Sequence, residues 1–178
     1  MAAVCVFCAS SRTLDRRWTD LATQVGAELA RRGHVLVSGG GRVGMMGAVA
    51  EGARAAGGHT VGVIPQSLVD REIADTHAGE LIVTDGMASR KTVMIEKSDA
   101  FLVLPGGIGT FDELFEVWTT AWLGVHAKPI VLLDVDGFYT GLVRWLENLV
   151  PTGFVRHEAL ARLTVATTVP AALDALPA

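Results

Sequence analysis

Short apolar runs rich in β-branched residues alternate along this chain with longer stretches whose apolar positions recur every three or four residues. That alternation predicts β-α-β units and an α/β fold with a parallel sheet. The candidate strands are Ala3 to Phe7, Val35 to Ser38, Thr60 to Ile64, Leu81 to Val83, Ala100 to Leu104 and Pro129 to Leu133. They read as continuously apolar rather than alternating, as strands covered by helices on both faces require. Leu14, Trp18, Leu21, Val25 and Leu29 mark the first helix, and Gly33 is placed to end it. Further helices fit Met45 to Ala56, Ala88 to Lys97, Thr110 to Leu123, Tyr139 to Leu149 and the tail around Glu158 to Leu163. The third and fourth strands are separated by a long polar connection, Pro65 to Glu80, and connections of that length in compact domains tend to carry function.

A length of 178 residues predicts one domain spanning 1–178, and 50% apolar against 19% charged residues supplies ample core. Fifteen basic residues against 19 acidic ones give a net charge of -4. The basic residues are scattered, so no footprint for a nucleic-acid backbone is expected. The apolar opening lacks the basic flank of a signal peptide, and no run is long enough to span a membrane; a cytoplasmic protein without membrane contact is expected. Cys5 and Cys8 sit inside a strand-like run with no second ligand pair, which suits core residues rather than zinc or redox chemistry. The five histidines show no paired ligand spacing, so no metal site is expected.

Glycine is enriched, 20 residues in all, and clusters where strands give way to helices. Gly39, Gly41 and Gly44 satisfy G-x-G-x-x-G, with Gly40 between them, yet the next strand ends Val63-Ile64-Pro65-Gln66 without the acidic residue that a dinucleotide ribose needs. A nicotinamide cofactor is therefore not expected. Gly47 and Gly52 could equally serve tight packing of strand and helix. The second cluster, Pro105-Gly106-Gly107-Ile108-Gly109-Thr110, leaves a strand and enters a helix, so free N–H groups and the positive helix end converge on one spot that suits an anion. Neither loop ends in the G-K-[ST] of a triphosphate site, and a monophosphate fits better.

Thr110 to Glu113 reads two ways, as a T-x-x-E capping box or as a carboxylate one turn from a phosphate cradle. Arg90 is placed at the start of a helix, where a positive charge opposes the helix dipole. It is either part of a solvated pair with Lys91 or a cation facing an anion shared with the Gly106 loop.

Taken together, Ser38 to Gly47, Arg90-Lys91, Ser98-Asp99-Ala100-Phe101 and Pro105-Gly106-Gly107-x-Gly109-Thr110-x-x-Glu113 resemble the LOG family, the cytokinin riboside 5′-monophosphate phosphoribohydrolases long labelled possible lysine decarboxylases. The likeness runs from Val4 to Tyr139. It implies a Rossmann-like doubly wound parallel sheet and hydrolysis of the N-glycosidic bond of adenosine 5′-monophosphate or an N6-prenylated relative, with no cofactor. It also implies Arg90 and Glu113 as the catalytic pair. Lys91, Gly107, Ile108, Gly109, Thr110, Asp112, Glu72 and Thr119 are implied as substrate positions, and Gly106, Gly40, Gly41 and Gly44 complete the expected loops around a nucleoside 5′-monophosphate. The chain departs from the family pattern at Ala88, where histidine is usual, and at Phe111-Asp112, where Leu-Glu is usual. A decarboxylase would need a Schiff-base lysine with a pyridoxal phosphate site around it, and the three lysines, Lys91, Lys97 and Lys128, offer none.

Two other classes share these features: a molybdenum-cofactor carrier of the same fold and a nucleotide-sensing module without turnover. Glu113 favours the enzyme. The likeness also implies a homodimer, and Phe111, Leu114, Phe115, Trp118 and Trp122 compose an apolar helix face that is either its interface or part of the chain's own core.

Overall fold

The computed structural model describes residues 1–71 and 73–178. They fold in the order β1 (Ala3–Phe7), α1 (Arg16–Arg31), β2 (Val35–Ser38), α2 (Gly44–Ala55), β3 (Thr60–Pro65), α3 (Gln66–Val69), β4 (Glu80–Thr84), α4 (Met87–Glu96), β5 (Ala100–Val103), α5 (Ile108–Trp122) and β6 (Ile130–Leu133). A 3-10 turn (Val135–Gly137), α6 (Thr140–Leu149), α7 (His157–Leu160), β7 (Leu163–Ala166) and α8 (Val169–Asp174) complete the chain. The strands form one sheet of order β4-β3-β2-β1-β5-β6-β7, parallel throughout. This is the parallel α/β sheet that the alternation predicts, doubly wound as the family resemblance implies.

The period-two geometry of a strand sends successive side chains to opposite faces. Val4 and Val6 of β1 pack with Ala22, Val25 and Leu29 of α1, Val49 of α2 and Leu173 of α8. Cys5 and Phe7 pack on the other face with Met94 of α4, Leu114 and Trp118 of α5 and Leu146 of α6. Both cysteines are free and buried. Asp15 begins α1 by accepting the Arg17 N–H at 2.9 Å. Gly33 ends it as expected: His34 N–H returns to the Leu29 carbonyl at 3.0 Å, and Gly33 N–H to that of Ala30 at 2.9 Å.

Two expectations need correction, and one left open is decided. The tail does not hold a helix over Glu158 to Leu163; it makes the single turn α7, and Leu163 instead opens β7, paired in register with Ile130 of β6. Only pairing against β6 decides this, because a four-residue segment carries too little periodicity to separate strand from helix. The connection after β3 is partly structured: it contains α3, and Ala74 bridges Gly41 while Asp75 N–H donates to the Gly40 carbonyl at 2.8 Å. Most of the apolar face of α5 belongs to the chain's own core: Leu114 and Trp118 are buried and Phe111 and Phe115 pack beside them, leaving Trp122 the most exposed of the five.

No helix of the described residues is long and apolar enough to cross a membrane. Helices α1 and α2 meet backbone to backbone, since a Cβ on Gly26 would fall on the Val49 carbonyl and one on Gly52 on the Thr23 carbonyl. Gly52 thus serves helix–helix rather than strand–helix packing. Gly52→Ala should cost about 1–3 kcal/mol by forcing the two helices apart. Gly141→Ala, in α6 where a Cβ meets open space, should be neutral or slightly stabilising. Thermal unfolding of the two variants checks the contrast, and an equal effect would overturn it.

Candidate active site

β1 has β2 on one side and β5 on the other, so the chain reverses its direction of travel through the sheet between them. The loop after β1 leads to one face and the loop after β5 to the opposite face, and such a switch point opens a crevice beyond the carboxyl ends of the strands. A cavity of about 590 Å³ fills it. Ser10, Ser11 and Arg12 wall it from the β1–α1 loop, Ile64 from the end of β3, Leu68 from α3, and Gly107 to Thr110 from the start of α5. Arg90 and Glu113 also line it, each nearly buried at 5% and 8% exposure.

Arg90 lies in the first turn of α4, and its guanidinium is largely committed. Nε donates to the Val63 carbonyl at 3.0 Å, Nη2 to the Gly39 carbonyl at 3.1 Å, and Nη1 stands 3.5 Å from Glu113 Oε1. The neighbours that offset a cation at this helix start are thus two backbone carbonyls and a carboxylate, not solvent. Gly39 is required for this approach, because a Cβ there would fall on Nη2.

Glu113 lies in the second turn of α5. The helix starts at Ile108 with Gly107 as its N-cap, two residues earlier than the spacing predicts. Thr110 is therefore inside the helix and the T-x-x-E reading as a capping box fails. Burial pushes the Glu113 carboxyl up to about 7, and the Arg90 guanidinium only partly opposes it. Gly107 offers no capping side chain, so the first-turn N–H groups of α5 stay available beside Ile108, Gly109 and Thr110 on the cavity wall.

The structure therefore brings Arg90, Glu113, Gly41, Gly107, Ile108, Gly109 and Thr110 to one cavity. It places the other expected positions elsewhere. Lys91 binds Glu116 at 2.5 Å and Asp112 at 3.0 Å, which raises its pKa, and neither Lys91 nor Asp112 lines the cavity. Gly40, within the β2–α2 loop, packs on Gly62 to Ile64 of β3, Gly44 opens α2 against the backbone of Ser10 and Ser11, and Gly106 packs over the Thr110 side chain. Thr119 is exposed farther along α5. Glu72 lies outside the described residues.

Sequence reading passed over Ser10, Ser11 and Arg12. Their signal is positional, since the loop after the first strand of a parallel sheet borders the switch point. Arg12 is exposed and makes no ion pair among the described residues. It also passed over the apolar wall of Val43, Met46, Ile73 and Met87, which carries no motif. Cys8 touches the cavity, but burial holds its thiol well above the usual range and so protonated. No group of three or more metal-ligating side chains occurs among the described residues.

A family profile described as possible lysine decarboxylase matches residues 46–176. The chain is 55% identical over 172 residues to a cytokinin riboside 5′-monophosphate phosphoribohydrolase of Mycobacterium tuberculosis, covering 97% of this chain and 91% of that one. It is 43% identical over 173 residues to a protein of the same name from Arabidopsis thaliana, covering 97% and 81%. Among solved structures, a molybdenum cofactor binding protein of Rippkaea orientalis superposes with a TM-score of 0.74 at 22% identity over 98% of this chain and 94% of that one. A Moco carrier protein of Chlamydomonas reinhardtii gives 0.71 at 22% over 97% and 93%. These two share the fold. The chain belongs to the possible lysine decarboxylase family, in its LOG branch of phosphoribohydrolases.

The raised Glu113 pKa makes a stability prediction. A carboxyl whose folded value exceeds its unfolded one favours the fold below its unfolded pKa, near 4.5, and loses that contribution as pH rises through about 7. The melting temperature of Glu113→Gln relative to wild type should therefore climb between pH 5 and pH 8. Parallel melting curves across that window would show that the carboxyl titrates normally.

Proposed function

We propose that this family member hydrolyses the N-glycosidic bond of adenosine 5′-monophosphate or an N6-modified relative, releasing free base and ribose 5-phosphate. The observation that carries the reading is a buried carboxylate facing a buried guanidinium in a cavity whose rim is an uncapped helix start. The helix end and its N–H groups bind the 5′-phosphate and fix the sugar. As the bond from C1′ to the base breaks, the sugar gains oxocarbenium character, and the Glu113 carboxylate stabilises it and orients the attacking water. Water oxygen bonds to C1′ and its proton passes to Glu113, while the base leaves with the bonding pair and takes up a proton from solvent; Glu113 then returns its own proton to solvent. Arg90 keeps Glu113 from an even higher pKa and offsets negative charge moving toward the base.

Lys91 is held by Glu116 and Asp112, and most of the Arg90 guanidinium is bound to carbonyls. The charge available to pair with the phosphate is then that of Arg12. Its partners across the cavity are the first-turn residues of α5. The apolar wall of Met46, Ile64, Leu68 and Ile73 receives the base. We also propose a homodimer, supported by Trp122, Leu123 and Val125 exposed together at the end of α5. Thr119, exposed on the same helix, would contact substrate only across such an interface.

Turnover of adenosine 5′-monophosphate to adenine and ribose 5-phosphate, with little from unphosphorylated adenosine, is expected by chromatography; equal rates would remove the phosphate cradle from the mechanism. Glu113→Gln should lower turnover by about 10²- to 10⁴-fold. Wild-type activity should fall as pH drops below about 7 and Glu113 takes up a proton. Normal turnover in Glu113→Gln would remove Glu113 from the mechanism, whereas nucleotide binding without turnover in the wild type would favour a carrier or sensor instead. Arg12→Ala should raise KM for the nucleotide roughly tenfold or more while kcat changes little; an unchanged KM would return Arg12 to solvent.

A further inference from the structure

The β5–α5 loop that forms the phosphate cradle has little of its own to hold it. Gly107 and Gly109 have open space where a side chain would stand. Behind the loop are two backbone hydrogen bonds, from Leu104 N–H to the Phe7 carbonyl at 2.9 Å and from Ala9 N–H to the Pro105 carbonyl at 3.3 Å. The third tie comes from a side chain on a different element. Tyr139, just before α6, is fully buried and donates its hydroxyl to the Leu104 carbonyl at 2.6 Å. Its ring stands edge-on to Phe111, with centroids 6.1 Å apart, in the first turns of α5. One side chain therefore touches the chain on both sides of the loop.

Tyr139 is itself fixed from behind. The Asp134 carboxylate accepts the Tyr139 N–H at 2.6 Å and the Thr140 hydroxyl at 2.7 Å, and Asp134 N–H donates to the Ala166 carbonyl of β7 at 2.8 Å. Phe138 packs edge-on against the same ring with centroids 4.9 Å apart. Burial also raises the phenol pKa, so the hydroxyl remains a donor through the working pH range. A buried carbonyl left without its donor would be costly, and backbone movement is the available relief.

We infer that Tyr139 is a positioning residue for phosphate recognition, holding the β5–α5 loop in its anion-binding shape through the Leu104 carbonyl. The inference rests on the nucleotide reading of the cavity, and Tyr139 touches no substrate. Tyr139→Phe keeps the ring and removes one hydroxyl. Two measurements on the full chain test it: hydrogen–deuterium exchange and, in the slow Glu113→Gln background where the nucleotide is not consumed, calorimetric titration with adenosine 5′-monophosphate and with adenosine. Exchange in the peptide covering 104–111 should quicken about tenfold while α1 and α2 stay unchanged, and nucleotide affinity should weaken about tenfold while adenosine binding is unaltered. Thr140→Val, which removes one of the two partners of Asp134, should move both readings the same way by less, and serves if Tyr139→Phe does not fold. Unchanged loop exchange overturns the inference, and so does faster exchange with equal losses for both ligands, which would mark a general loss of structure. If exchange quickens but Glu113→Gln alone binds no nucleotide and wild type turns none over, the nucleotide reading fails and takes the phosphate role of Tyr139 with it.

Discussion

The site depends on one buried cation. The Arg90 guanidinium leaves α4 and binds carbonyls at the carboxyl ends of β2 and β3, so one side chain locks a helix to two strands while facing Glu113 on another helix. Its charge is more than a structural tie. A carboxyl buried as deeply as Glu113 would resist ionising, and at 3.5 Å Arg90 only partly offsets that penalty, leaving a group poised near neutrality. A general base or a charge stabiliser for the sugar needs that balance between desolvation and attraction.

Two adjacent pairs of charges reach this arrangement by pointing in different directions. Arg90 and Lys91 are neighbours on α4, and Asp112 and Glu113 are neighbours on α5, yet only Arg90 and Glu113 line the cavity. Lys91 crosses to Asp112 and Glu116 instead. Successive helical residues differ by about 100° in direction, so adjacent side chains on a helix rarely share a task. The outer ion pairs hold α4 and α5 in one register, and the inner pair inherits that register as its distance.

The two glycine clusters also divide. Gly39 admits the Arg90 guanidinium, and the first cluster thereby builds the pocket wall, with Asp75 and Ala74 strapped across its back. The second cluster, from Gly106 to Gly109, leaves helix N–H groups uncapped and is supported from behind by β1 and Tyr139. A glycine pattern records where backbone must pass close to something. It does not say whether that neighbour is a ligand or an arginine of the same chain.

Hydrophobic periodicity by itself determined the α/β class, six of the seven strands and the main helices, because burial on both faces leaves a continuous apolar signature in each strand. Residue types also marked Arg90, Glu113 and the Gly107 to Thr110 loop as chemistry, and the family likeness in the same motifs named the reaction. Tertiary structure alone decided the rest. Leu163 to Ala166 became a strand because β6 offered a free edge, and Glu113 escaped the capping role because α5 begins at Ile108 with Gly107 as its N-cap. Arg12 entered the cavity wall, and Lys91 and Asp112 left it, through the geometry of the switch point and the facing of two helices. Those outcomes depend on distances between segments far apart in the chain, and no local spacing encodes them.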